Sequence, residues 1–226
     1  MRVAEPLPHA APRARRRPGL PADRGRSYAE LERNAAVMRA RWSQGAHCAF
    51  PALAIFERLD ALTARWPVPV EPAVNPLPPG IEAVTLFSPD AGRLVVALDP
   101  STYSALEREA PRARFSLCHE LGHALLHLPV LRRLARLPLR QMMAGREAAR
   151  HGIWCDAEWQ ADVFAGALLM PAPGLDATLA FDPTYMSVLS RFGVSFEAAH
   201  TRIRYFRRRR GELLRAASRG GLPCGR

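Results

Sequence analysis

His119, Glu120 and His123 stand inside the segment PRARFSLCHELGHALLHL, which has a helical pattern and opens at Pro111. This HExxH spacing constrains the chain more than any other feature. Residues four apart on an α-helix lie about 40° apart on the wheel and about 6 Å apart along the axis. Both imidazoles can therefore meet one zinc ion at about 2.0–2.1 Å. Glu120 falls on the neighbouring face, within reach of a water at that metal. A carboxylate there can take the water's proton and later give it to a leaving amine. Two histidines leave such a site incomplete, because a catalytic zinc usually has three protein ligands and one open position.

Glu158 is the best candidate for the third ligand. It lies in the first turn of a second predicted helix, AEWQADVFAGALLM, with Asp156 as its N-cap and Pro171 at its end. Asp162 follows four residues later on the same face. In one reading Glu158 binds the metal and Asp162 accepts the outer N–H of a ligand histidine, fixing its tautomer and raising its basicity. In the other, both are early acids that complement the helix dipole. Spacing alone leaves the two readings open. His127 continues the four-residue series but lies about 12 Å along the axis from His119, too far to share its metal. It reads as a packed or hydrogen-bonded histidine. Cys118 and Cys155 flank the ligand segments and read as small buried filler. For an oxyanion stabiliser, His151, Tyr185, His200 and Arg202 are candidates among which the sequence does not choose.

Around these two helices the chain reads as one α+β domain, helices about a small antiparallel sheet. Ser27 opens a helix to Trp42, and a second follows Pro51. Pro67–Gly80 holds six prolines and is expected to be an extended connector. Ile81–Phe87 and Leu94–Asp99 read as a strand pair across a turn containing Asp90 and Gly92. Ser101–Glu109 suggests a short helix, and Thr184–Phe206 one or two closing helices.

The net charge of +11 sits at the two ends. Residues 1–26 carry +5 and residues 202–226 carry +8, leaving the middle at −2. All 32 basic residues are arginine, a usage that GC-rich coding also produces. The expected organisation is a disordered Arg/Pro-rich tail over 1–26, a domain over 27–206 and a basic tail over 207–226. Such tails can contact phosphate. No apolar run approaches the eighteen or so residues of a membrane span. The N-terminus lacks the apolar core of a secretory signal, and the four cysteines lie far apart. A cytoplasmic protein with reduced thiols and no membrane association is expected.

The blocks RFSLCHELGHALLH and EWQADVFAGALLMP together resemble the ImmA/IrrE family of zinc metallopeptidases. Arg114, Phe115 and Ser116 match that family's lead into HELGH. Glu158, Ala161, Asp162, Phe164, Ala165, Leu168, Leu169, Met170 and Pro171 match its second block, and RFGVSFEAAHTRI is similar to its closing helix. The resemblance implies a gluzincin-like site with His119, His123 and Glu158 on zinc, manganese as a substitute metal, and Glu120 as base. Position 160 is Gln where the family often has a second Glu, and Gln160 would be a poor ligand. The resemblance also implies a regulatory endopeptidase whose substrate is a DNA-binding, helix-turn-helix repressor, often encoded nearby. Two other classes stay open. One is a binding protein that sequesters a repressor around a structural zinc, for which Cys155 is the obvious fourth ligand. The other is a nucleic-acid-binding protein acting through its arginine tails.

Overall fold

The computed structural model describes residues 17–18, 20–42, 48–137 and 150–220. The chain begins with β1 (Arg17–Pro18), then α1 (Tyr28–Trp42), α2 (Ala52–Glu57) and α3 (Leu59–Thr63). A sheet follows from β2 (Val70–Val74), β3 (Ala83–Ser88) and β4 (Arg93–Leu98). Then come α4 (Pro100–Glu107), α5 (Pro111–Leu126), α6 (Leu128–Leu134) and β5 (Arg150–His151). A 3-10 turn (Ile153–Cys155) leads into α7 (Ala157–Leu169), α8 (Ala172–Phe181), α9 (Tyr185–Phe192) and α10 (Phe196–Gly220). The class is α+β, mostly helical with a small three-stranded mixed sheet.

α7 is the centre of the core. Its residues are apolar nearly all round, and Ala161, Phe164, Ala165, Leu168 and Leu169 have no exposure. A helix apolar on every side has to be buried. The Asp156 side chain caps it by accepting from the Trp159 N–H at 3.0 Å. α5 packs along one side of α7, and α1 lies against both α7 and α10. Two buried arginines tie this bundle together. Arg39 of α1 donates to the Leu168 carbonyl at 2.7 Å, near the C-terminal end of α7. Arg202 of α10 meets Glu32 of α1 at 2.7 Å and donates to the Met170 carbonyl at 2.9 Å.

The sheet order is β2-β4-β3, with β2 parallel and β3 antiparallel to β4. The β3–β4 hairpin turns through Asp90 and Gly92, whose φ of +62° suits glycine. Leu94, Val96 and Leu98 point into the core, and β3 packs on α5.

Four expectations change. The small sheet is mixed rather than antiparallel, because β2 runs parallel to β4. Pro67–Gly80 is not merely a connector, because Val70–Val74 forms β2. As an edge strand it tolerates Pro72, whose missing N–H costs the outer edge nothing. The basic segment from residue 207 is not a tail as far as Gly220. α10 runs on to that residue with a kink at Arg209, burying Leu213, Ala216 and Ala217. These apolar residues recur at helical spacing between the arginines and form a stripe that needs a partner. The N-terminal boundary also moves. Arg17–Pro18 pairs with Arg150–His151, and Leu20 and Arg26 are buried. Residues 1–16, 19 and 221–226 of the expected tails, and Cys224 with them, lie outside the described residues, as does 138–149.

Candidate metal centre

The site lies where α5 crosses α7. The two helices approach closely because of Gly122 within HELGH: a Cβ there would stand 3.1 Å from the Ala161 Cα and 3.2 Å from the Phe164 ring. Across this contact α5 presents His119 and His123, and α7 presents Glu158 and Asp162.

Three donor atoms converge. His119 Nε2 and His123 Nε2 are 3.0 Å apart. Glu158 Oε2 is 3.2 Å from the first and 3.5 Å from the second. These three residues form a group able to hold a metal ion, and no fourth His, Cys, Asp or Glu joins them among the described residues. Asp162 Oδ1 lies 2.9 Å from His119 Nδ1, on the far side of that ring from the convergence point. Burial works against the His119 imidazolium, but hydrogen bonds to Asp162 and Glu158 outweigh it and raise its pKa to about 10. Burial likewise opposes ionisation of Glu158. The hydrogen bond from His119, with both imidazoles close by, outweighs that too and holds the carboxyl well below its usual range.

Glu120 faces the sheet. Thr85 Oγ1 of β3 stands 2.8 Å from Glu120 Oε2 and 2.9 Å from the Glu120 carbonyl oxygen. Thr85 is buried, so its hydroxyl has little competition from solvent. The cleft beside the histidines is lined by β3 residues Ala83–Phe87, by Phe115 and Ser116 of α5, and by Leu131 and Leu134 of α6. A second groove shares Arg112, Phe115 and Ser116 with it and runs on past Asp162 to Arg204 and Arg208 of α10.

His127 ends α5 and has no exposure. Its Nδ1 is 3.0 Å from His123 Nδ1, and its Nε2 is 3.0 Å from Gln160 Oε1. Gln160, fully buried on α7, also touches Arg26, Arg24 and Trp154. The sequence read Gln160 only as a poor metal ligand, and it did not pick out Arg26 or Thr85. The available signal was a lone amide among the apolar residues of the second helix.

Of the four oxyanion candidates, none lines the cleft that holds the histidines. Arg202 is buried against Glu32, His151 lies 3.3 Å from Asp156, and Tyr185 and His200 pack with Phe196. Cys118 is buried, and burial pushes its thiol up to about 12. Cys155 is partly exposed and sits in the 3-10 turn ahead of α7.

Fold and site together define a helical α+β domain with a candidate metal centre of the HExxH type. The family model of the IrrE N-terminal-like domain, peptidase family M78, matches residues 155–204. That stretch holds Glu158 and Asp162 and ends within α10. It agrees with the resemblance read from the two sequence blocks and supports a peptidase-type function. No curated protein matches the chain. Among the described residues no single helix is long and apolar enough to cross a membrane.

Proposed function

We propose that this protein is a zinc-dependent endopeptidase, with His119, His123 and Glu158 as metal ligands and Glu120 as the general base. One observation carries the reading. The three donor atoms form a triangle with edges of 3.0, 3.2 and 3.5 Å. Ligand atoms about 2.0–2.1 Å from a common centre at tetrahedral angles are about 3.3–3.4 Å apart. Two imidazoles and one carboxylate suit zinc, with manganese as a substitute. Three protein ligands leave the open position that catalysis requires. A structural zinc calls for a fourth ligand, so the geometry favours the peptidase over a closed, merely binding site.

When bound, zinc supplies Lewis acidity that polarises the scissile carbonyl and brings the pKa of a water to about 7. The chain's own residues do the rest. Glu120, held at its Oε2 by Thr85, takes the proton of the attacking water and returns it to the leaving amine. Asp162 fixes the His119 ring. Among the described residues β3 is an outer strand of its sheet and borders the cleft, so an extended substrate can add to it as a further strand.

The substrate we propose is a DNA-binding repressor of the helix-turn-helix kind, cut at one place by a cytoplasmic regulatory enzyme. Support for this finer reading is the ImmA/IrrE resemblance together with the exposed arginines of α10, which can meet an acidic partner or the DNA beside it. The test of the chemistry is a pair of variants. Glu158→Ala should lose the one zinc per chain that the parent carries. Glu120→Gln should keep zinc and fold while losing proteolysis by orders of magnitude. Stoichiometric zinc in Glu158→Ala, or full activity in Glu120→Gln, would sink the assignment.

A further inference from the structure

We infer that Arg26, Gln160 and His127 form a hydrogen-bond relay that fixes the tautomer of His123 and keeps its Nε2 bare for the metal. The inference rests on the proposed metal site, but its argument is separate.

It starts at Gln160. Its Nε2 lies 2.9 Å from the Arg24 carbonyl and 2.7 Å from the Trp154 carbonyl. Its Oε1 lies 2.7 Å from Arg26 Nη1 and 3.0 Å from His127 Nε2. Turning the amide over would set oxygen against two carbonyls and NH2 against a guanidinium, so only one orientation satisfies all four partners. An amide oxygen only accepts. His127 must therefore donate from Nε2. A neutral imidazole has one N–H, which leaves His127 Nδ1 as an acceptor. The group facing it at 3.0 Å is His123 Nδ1. That nitrogen carries the proton, and His123 Nε2, 3.0 Å from His119 Nε2, is left with its lone pair at the convergence point.

The two metal histidines are thus oriented by different means. His119 donates to a carboxylate, Asp162, at the exposed side of the site. His123 donates to a buried chain, His127 and Gln160, that runs on to the Arg26 guanidinium, itself paired with Asp23 at 3.0 Å. Arg26 Nη2 also donates to the Leu126 carbonyl at 2.8 Å. The segment before α1, expected to be tail, therefore reaches the metal site. His127, Gln160 and Arg26 touch neither metal nor substrate and act as positioning residues.

The first test needs no variant. In the zinc-loaded protein labelled with 15N-histidine, long-range proton–nitrogen spectra should show His127 protonated at Nε2 and bare at Nδ1. The opposite tautomer overturns the relay. The second test measures zinc affinity by competition with a chelator. His127→Phe keeps an aromatic filler but removes the acceptor, and its dissociation constant should rise about 10–100-fold. His127→Asn places an oxygen near the position of Nδ1 and should stay near the parent value. Unchanged affinity in His127→Phe, or an equal loss in both variants, makes His127 mere filler and overturns the proposal. Cleavage by the parent is scored separately. A parent that binds zinc and cuts nothing defeats the peptidase reading and leaves the relay standing.

Discussion

Glu120 is useful as a base only if its carboxylate keeps one position, and Thr85 supplies that constraint from a strand rather than from its own helix. Thr85→Val keeps the shape and removes the hydroxyl. It should leave zinc content unchanged and lower kcat by about 10–100-fold, since small misplacements of a reacting group have costs of that size. Equal kcat in the two proteins would show that the hydroxyl is not needed. Asp162 has a different signature. A protonated His119 cannot bind metal, and in the metal-free protein its pKa is held at about 10 against burial by Asp162 and Glu158. Zinc uptake near pH 7 should therefore release a proton, and apparent affinity should rise with pH up to about 10. Asp162→Ala should weaken zinc binding about 10–100-fold and shrink that proton release. Titration calorimetry in buffers of different ionisation enthalpy reads both, and an unchanged proton count would remove Asp162 from this role. At this scale the sequence was informative wherever partners share a helix period. HExxH could be picked out from its spacing, and Glu158 and Asp162 could be named as candidates whose role spacing alone left open. Thr85 and Gln160 could not, because the contacts that give them a role join residues 35 and 33 positions apart and leave no local pattern.

The two site-bearing elements depend on how closely they touch. Gly122 permits the approach of α5 to α7, and the atom a new Cβ would meet first, at 3.1 Å, is backbone Cα. Gly122→Ala gains helix propensity of about 1 kcal/mol. Yet it must push the helices apart by a few tenths of an ångström at the level of the ligands. The expected result is lower zinc affinity even where the melting temperature changes little, and thermal melts with and without zinc separate the two effects. Affinity equal to the parent would mean that the helices repack at no cost to the site. Elements were legible where period and punctuation agreed: α1, α5, α7 and the β3–β4 hairpin appear close to their expected bounds. Proline misled twice. In β2 it read as a connector, although an outer strand accepts it. Pro171 read only as the stop of α7, while Pro173 two residues on sits in the first turn of α8, a helix that the sequence did not suggest.

At the scale of the whole molecule, charge and site lie close together. The second groove leads from Asp162 to Arg204 and Arg208, and the exposed face of α10 continues with Arg207, Arg215 and Arg219. Other arginines of this helix are occupied: Arg202 is buried on Glu32, Arg210 meets Asp176, and Arg209 lies over the Tyr28 ring. A substrate whose acidic surface or bound DNA meets the remaining arginines would be guided toward β3 and Glu120. A peptidase with an open metal site needs selection of that kind, because such chemistry does not distinguish one peptide bond from another. Attraction between exposed charges is screened over about 8 Å at physiological ionic strength. If a repressor is the substrate, as proposed, its cleavage should therefore slow as salt rises, mainly through KM, with kcat little changed. Arg204→Gln with Arg208→Gln should slow the low-salt reaction and flatten its salt dependence, while zinc content stays at the parent level. The measurement is repressor and casein cleavage side by side, with zinc or manganese, at low and high salt. Rapid digestion of casein with the repressor left intact would make this a general peptidase and remove the regulatory reading. A salt dependence that survives the double variant would move the docking surface away from α10.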